Sequence, residues 1–414
     1  LTSIGLECAI KSNSPSFTGV IVGRLLDVTK IENSDHLNLC KVDIGKNKID
    51  IVCGAPNVKN DILVPVAIPG ATLDDGKFKI KKTKIRGVVS NGMICSEKEL
   101  RISEEHKGIM QLDSSCEVGS NFNEIYLKNN NELMELDITP NRGDCFSHLG
   151  VSREISAIIG SKIKSKDYSF NEKADSISDI LKIKVEDKDA CPRYAARIIK
   201  NIKVTDSPKW LKERIESIGQ KSINNIVDIA NYVLFDRGHP MHTFDLNKIK
   251  SNEIVIRKAA KSHEIVCLDG IKRKVEDNQL LILDKDTPIA IAGIIGSESS
   301  SIDNNTTDLL IESALFDEVV IRKGAKALDF SSEASKRFER GTDINNVITS
   351  LDMICSMIQE IAGGEVLKGV IDICSKKSDE TLVEFNIDSC NKLLGTDLKN
   401  KEIRSILESL SIEI

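Results

Sequence analysis

The 414 residues contain one tryptophan, Trp210, and aromatic side chains make up only 4%. No two cysteines form a C-x-x-C pair. The eleven stand at 8, 40, 53, 95, 116, 145, 191, 267, 355, 374 and 390. An odd, scattered set excludes a disulfide framework and reads as reduced thiols, mostly small core residues. No apolar run reaches membrane-spanning length. The longest, residues 289–295, reads as a buried strand. There is no phosphate loop of the G-x-x-x-x-G-K type, which excludes that mode of ATP binding. Positive charge is not in excess: the formal net charge is -6. Any contact with a polyanion must come from a local basic face. The opening residues do not read as a secretory signal. It starts at Leu1 and stops inside an apparent element at Ile414, so both ends are expected to be cuts in a longer protein.

What is present is enough apolar residue for two to four domains at this length. The central stretch, residues 222–245, reads SINNIVDIANYVLFDRGHPMHTFD. Ser222 is a good N-cap, because its hydroxyl can accept a bond from an unpaired N–H of the first turn. Ile223, Ile226, Val227, Ile229, Ala230, Val233 and Leu234 give one broad apolar face. Gly238 stops the helix and Pro240 forbids its continuation. A polar cluster of His239, His242 and Asp245, with Asn231 on the helix, is thereby delivered to a fixed place. The histidines alone are equally compatible with satisfying nearby backbone groups. A zinc site is the weakest option, because no Cys or carboxylate at metal spacing flanks them.

Taken in order, residues 1–11 read as a helix end and a strand, and 12–16 as a linker. Residues 17 to about 125 are all-β, with strands at 20–28, 39–44, 48–53 and 63–68. Many short strands around one core suggest a small closed barrel of the OB type. Residues 129–131 mark a linker. LDITPNRGDCFSHLGVSREISAIIG, residues 136–160, reads as a strand, a turn and a helix over 147–159, with Asp144 as the expected cap. It is expected to pack with residues 1–11, so that the barrel is an insertion. Residues 167–179 read as a linker. A large mixed region follows, with strands at 181–185, 193–202, 254–257, 264–268, 280–283, 288–292 and 309–313. Its helices fall at 209–218, capped by Ser207, and at 317–326, 333–339 and 343–362. Residues 375–379 form the next linker, and two short helices, 389–394 and 401–410, close the chain.

Within the barrel, VGRLLDVTKIENSDHLNLCKVDIG, then VCGAPNV, then IRGVVSNGMICSEKEL closely resemble the tRNA-binding domain shared by several synthetase-associated proteins. Lys77, Lys79, Lys81, Lys82, Lys84 and Arg86 are the candidate tRNA contacts. Alternate lysines on one strand would share a face and could follow a phosphate backbone. The same lysines would equally keep an edge strand soluble.

Three further pieces carry unusual polar detail. IAIAGIIGSE, residues 289–298, is a buried strand ending in glycines; Gly293 and Gly296 would let a ligand approach the backbone closely. LLIESALF, residues 309–316, sets Glu312 alone in an apolar run, where a carboxylate must find a partner. DFSSEASKRFERG, residues 329–341, opens a helix with Ser332, Ala334 and Ser335. With the HPMHTFD segment, these resemble the editing domain of the bacterial-type phenylalanine–tRNA ligase β-subunit family, and the order of modules resembles that family throughout. The resemblance implies a multidomain α+β chain, an N-terminal fragment of such a subunit. Residues 1–16 and 127–165 would form a small α+β (B1-like) unit, and 17–126 the inserted OB-fold tRNA-binding domain. Residues 180–375 would form a mixed α/β editing (B3/B4-like) domain, and 380–414 the start of a helical B5-like module.

The resemblance also implies a cytoplasmic α2β2 enzyme with no membrane contact. Its α subunit would attach phenylalanine to tRNA(Phe) with ATP and Mg²⁺, neither of them bound by this fragment. The β chain would bind tRNA and hydrolyse mischarged Tyr-tRNA(Phe). In that reading Glu312 accepts the tyrosine hydroxyl, and His242 and Asn231 orient a water or the terminal ribose. Gly296, Ser332 and Ala334 close the pocket, and His239 is structural. The family often has Thr at Ala230, Gln at His239, Thr at Ser332 and Gly at Ser297. The missing hydroxyl at Ala230 motivates the alternative reading, a non-catalytic scaffold that holds tRNA and the α subunit.

Overall fold

The computed structural model describes residues 1–11, 17–32, 34, 36–74, 76–102, 108–129, 133–164, 166–277, 279–376 and 381–414. The linker expected at 12–16 lies outside these residues, as do 130–131 of the one expected at 129–131 and 377–379 of the one expected at 375–379; Asn129 ends a helix, and Ser375 N donates to the Pro192 carbonyl. Two compact units result, residues 9–135 and residues 1–8 with 136–414. The short strands Glu7–Lys11 and Leu133–Asp137 pair where the chain passes from one unit to the other.

The first unit is the expected barrel. Strand β1 (Thr18–Lys30) is long enough to serve two partners. One part pairs with β2 (Asn38–Asp43), which pairs in turn with β3 (Lys48–Cys53); the earlier part pairs with β4 (Leu63–Leu73). A bulge between Leu25 and Asp27 lies in the β1–β2 pairing, where an extra residue bends a strand and sharpens its twist. Helix α1 (Phe122–Asn129), missed by reading the barrel as all-β, packs Phe122 on Phe17 with ring centroids 5.7 Å apart.

In the second unit, helix α2 (His148–Ile159) is capped by Ser147, whose hydroxyl accepts from Gly150 N, and not by Asp144. Asp144 instead accepts from the Arg142 guanidinium. Residues 167–179 are no free linker. Strand β5 (Glu172–Ser176) joins a six-stranded sheet, Arg197 lies over the Phe170 ring, and Asn171 and Gln359 exchange hydrogen bonds.

Strand β6 (Lys182–Val185) and strand β7 (Arg193–Lys200) are followed by α3 (Lys209–Ser217) and α4 (Asn225–Arg237). The cap of α4 is Asn224, whose Oδ1 accepts from Ile226 N and Val227 N. Ser222 and Ser207, the expected caps, both donate to the buried Asp228 carboxylate in the first turn of α4. Gly238 ends α4 at φ 68°, a conformation cheap only for glycine.

Strands β8 (Met241–Asp245), β9 (Glu253–Lys258), β10 (Leu280–Asp284), β11 (Thr287–Ile291), β12 (Ile295–Gly296) and β13 (Leu309–Leu315) come next. Then follow α5 (Glu318–Ala327), α6 (Glu333–Phe338), α7 (Asn346–Ile361), β14 (Glu365–Lys368) and β15 (Ile371–Cys374). The six-stranded sheet runs β5-β14-β7-β13-β8, with β15 also paired to β7. The other sheet runs β6-β9-β10-β11-β12.

Alternate residues of a strand point to opposite faces, and this period divides the core. From β7 and β13, Ala195, Ile199, Leu309 and Ile311 pack with α3, α4 and α7. Their neighbours Tyr194, Ala196, Ile198 and Leu310 pack towards β9, β10 and β11. The six-stranded sheet is therefore the middle layer, buried on both faces, and any polar side chain on it must be partnered. The last helices, α8 (Ile387–Leu394) and α9 (Asn400–Ser409), follow at the end of the chain.

Candidate active site

Strand pairing places the two chemically distinctive side chains of the middle layer together. β8 and β13 run antiparallel with His242 directly opposite Glu312. Directly opposed residues project to the same face of a sheet. That face looks towards the second sheet, and a cavity lies there. Its walls are Pro240, Met241, His242 and Glu312 from the middle layer, Ile282, Ala290, Ile291 and residues 293–296 from the β10–β12 segment, and Ala334 and Phe338 from α6. About 60 Å³ is open to the centres of water molecules, and about 380 Å³ is free of atoms altogether. The latter includes open solvent at the mouth; the former is far below the roughly 300–1,000 Å³ typical of small-molecule sites, so a tyrosyl group enters only as the walls part.

Four of the six editing residues expected from the sequence thus share one cavity: His242, Glu312, Gly296 and Ala334. Ser332 stands behind its wall. It caps α6, accepting from Ser335 N and donating to the Ile294 carbonyl at 2.8 Å. Asn231 is not among the lining residues and belongs to α4, on the helical side of the middle layer. Its neighbour Ala230 is buried in that helical core, so the hydroxyl absent at 230 is not taken from the cavity wall. His239 lies outside the lining as well; its Nε2 is 3.0 Å from Ser313 Oγ. The segment holding His242 is strand β8 and no loop, which fixes the imidazole more firmly than expected.

Gly296 has a different use from the one its sequence suggested. A Cβ there would lie 2.6 Å from His242 Cε1 and 2.8 Å from Nε2. The glycine makes room for the imidazole first, and the ring also meets Phe244 edge-on at 4.4 Å between centroids. Burial pushes the His242 pKa down to about 4, so the ring is neutral at pH 7 and one nitrogen can accept a hydrogen bond.

Glu312 is 6% exposed. Burial pushes its pKa up to about 7, while a hydrogen bond from Tyr194 pulls it the other way. That bond runs from the Tyr194 hydroxyl to Oε2 at 2.9 Å. Oε1 accepts no hydrogen bond within the described residues. Tyr194 was not singled out by its sequence, RYAARIIK, because only strand register brings it within reach of Glu312.

The candidate tRNA residues are arranged otherwise than expected. Lys77, Lys79, Lys81, Lys82, Lys84 and Arg86 are all exposed, but they do not share one strand. Lys79 ends the strand Phe78–Lys79 on the barrel sheet, while Lys84 lies in Thr83–Ile85, paired with Val88–Ser90 in a separate ribbon. Ile80 between them is buried and bonded to the barrel sheet, its N–H donating to the Ala71 carbonyl and its carbonyl accepting from Gly70 N. The positive charge is divided between two short strands and the residues joining them, and is not one stripe.

For a metal, the described residues offer Asp144, Cys145 and Glu154. Arg142 donates to both carboxylates, so the charge a cation would supply is already provided there. The two histidines are not part of that grouping.

Comparison with known proteins agrees with this division. Residues 190–363 match the family model described as "B3/4 domain", and residues 20–121 match "Putative tRNA binding domain". The phenylalanine–tRNA ligase beta subunit of Protochlamydia amoebophila (strain UWE25) is 42% identical over 413 residues, 99% of this chain and 51% of that protein. The same-named subunit of Fusobacterium nucleatum subsp. nucleatum is 42% identical over 416 residues, 100% of this chain and 52% of that protein. A solved structure, an N-terminal fragment of the phenylalanyl-tRNA synthetase β-subunit from Pyrococcus horikoshii, is 17% identical. It covers 68% of this chain and 79% of its own length at a TM-score of 0.33, too slight a likeness to argue from. The chain spans about half the length of the curated relatives it matches. With homology across essentially all of its residues and both family domains in place, the chain belongs to the phenylalanine–tRNA ligase β-subunit family.

Proposed function

We propose that this chain performs two tasks of such a subunit: it binds tRNA(Phe) through the barrel and hydrolyses tyrosine wrongly esterified to that tRNA. The attachment of phenylalanine, with ATP and Mg²⁺, belongs in this reading to an α subunit in an α2β2 assembly in the cytoplasm. Among the described residues no helix is long and apolar enough to cross a membrane.

The chemical need is clear. An apolar pocket built for phenylalanine rejects an added hydroxyl by only about 10²-fold, so a second site must remove the error. Hydrolysis of the ester requires a held water and a proton acceptor. The water oxygen bonds to the carbonyl carbon, the ester C–O bond breaks, and the ribose oxygen leaves with a proton. Neutral His242 is suited to orient the water by accepting a hydrogen bond from it, while its lowered pKa makes it a weak base. Glu312 recognises the error itself: a phenol donates to its carboxylate, whereas a phenyl ring leaves a buried acceptor unpaired.

The observation that carries this reading is the direct opposition of His242 and Glu312 on paired strands at one cavity. The test is hydrolysis of Tyr-tRNA(Phe) and Phe-tRNA(Phe) by the purified chain. Tyrosine should be released preferentially, and Glu312→Ala should lower that preference about 10- to 100-fold, as expected for a hydrogen bond to a charged group. An unchanged preference in the variant sinks the assignment.

A further inference from the structure

We infer that Tyr194 is a positioning residue for substrate selection, holding one oxygen of Glu312 so that the other is presented to a substrate phenol. The inference rests on the proposed hydrolysis of tyrosyl esters. Tyr194 lies on β7, the neighbour of β13 on the side away from β8. In that pairing Tyr194 stands opposite Ala314 and Ala196 opposite Glu312. The tyrosine is thus a diagonal neighbour of the glutamate on the same sheet face, within reach of a long side chain. The small side chain of Ala196 leaves the space across which the two meet.

The arrangement has a chemical consequence. Tyr194 is 0% exposed and does not line the cavity, whereas Glu312 does. Its hydroxyl occupies Oε2 from behind, and Oε1 is the acceptor left for a ligand. A phenol of the chain and a phenol of the substrate would then bind the two oxygens of one carboxylate. The pair fixes the carboxyl plane and favours its ionised form, the form that only accepts. Without Tyr194, burial would drive Glu312 further towards the protonated form and leave the carboxyl free to turn. A protonated acid is a weaker acceptor, so a phenol gains less over a phenyl ring. The groups that face Glu312 are Tyr194 and Cys191 from the β7 side and His242 from β8. Cys191 and Tyr194 are neutral across the accessible range, since burial pushes both well above their ordinary values. His242 is neutral above pH 5. The pH response near neutrality is therefore that of Glu312.

The test is Tyr194→Phe, which removes one oxygen and keeps the ring. Two measurements are made on the full chain. The first follows the Glu312 carboxyl by infrared difference spectroscopy against Glu312→Gln as pH is varied. Its midpoint should move up by about 1 on the pH scale in Tyr194→Phe, the change expected when a hydrogen bond to the charged form is lost. An unchanged midpoint overturns the inference whatever the activity. The second compares hydrolysis of Tyr-tRNA(Phe) and Phe-tRNA(Phe). The preference for tyrosine should fall about tenfold at pH 7 through KM and recover as pH is raised past the new midpoint. A loss of stability alone, with preference and pH profile unmoved, overturns the inference too. If the unmodified chain hydrolyses neither ester, the functional reading fails by itself, and the carboxyl titration still decides whether Tyr194 holds Glu312.

Discussion

At the scale of single residues, the site stores two opposed protonation costs. His242 carries a pKa lowered to about 4, and Glu312 one raised to about 7. Below pH 6.5 the unfolded chain takes up a proton that folded His242 refuses, so acidification towards pH 4 weakens the fold. Above pH 4.5 the unfolded chain releases a proton that folded Glu312 keeps, so stability falls as pH rises from there to about 7. The two effects set a stability optimum for this site on the acid side of neutrality. Glu312→Gln removes the second effect while leaving Tyr194 an amide oxygen to bond. Relative to the wild type, the variant should therefore gain stability steadily between pH 4.5 and 7. The gain should reach about 3 kcal/mol at most, since a pKa that differs by 1 between folded and unfolded chain corresponds to about 1.4 kcal/mol. Urea unfolding at half-unit steps of pH reads this directly, and a difference that does not change with pH contradicts it. Gly296 belongs to the same scale. Gly296→Ala drives a methyl into the His242 ring, and hydrolysis should fall far more than stability, by about 10²-fold for a displacement near 1 Å.

At the scale of elements, hydrophobic period and capping chemistry located the helices of the mixed region and seven of its strands to within a few residues, but not β8, β12, β14, β15 or the short strand Lys272–Val275. The misplaced caps share one cause. Ser222, Ser207 and Asp144 have the right chemistry for caps, but partners distant in sequence or beside them in the turn claim their oxygens. Residues 167–179 are polar enough for a linker, yet β5 is held by pairing with β14, about 190 residues away. Tyr194 and the opposition of His242 to Glu312 depend on register, which no local pattern encodes. Gly296, His242, Glu312 and Ala334 could be named because each is chemically odd for its surroundings. Asn231 is equally odd, but the helical period could not show which face it would take relative to the cavity. The elements also make their own prediction. Asp228, fully buried, accepts from Ser207 Oγ, Ser222 Oγ and Ile223 N, and so joins the starts of α3 and α4. Asp228→Ala removes the acceptor these three partly exposed donors share, and should cost about 1–3 kcal/mol in urea unfolding. Ile223→Ala, at a largely exposed position of the same segment, should cost under about 0.5 kcal/mol.

At the scale of the whole molecule, the net charge of -6 opposes a polyanion, so tRNA affinity must be concentrated where the sign reverses. The segment around Ile80 is such a place, with Lys77, Lys79, Lys81 and Lys82 all exposed within six residues. Each phosphate neutralised by one of these lysines releases counterions, and the affinity then falls with salt by a slope of about 0.7–0.9 per contact. If all four touch phosphate, changing them together to Ser should reduce the slope of log K against log salt by about 3, with tRNA binding measured between 50 and 200 mM salt. Lysines near phosphate position the ligand and do not read its sequence, so tRNA(Phe) and an unrelated tRNA should weaken by similar factors. Lys209 and Lys212, exposed on α3 and near Glu213 and Glu216, provide the control: changing them alters the net charge without touching the segment around Ile80. An equal fall in slope from both sets would mean that diffuse charge governs binding. A fall confined to the first set assigns the tRNA contact to the barrel, and does so whether or not the cavity at Glu312 hydrolyses anything.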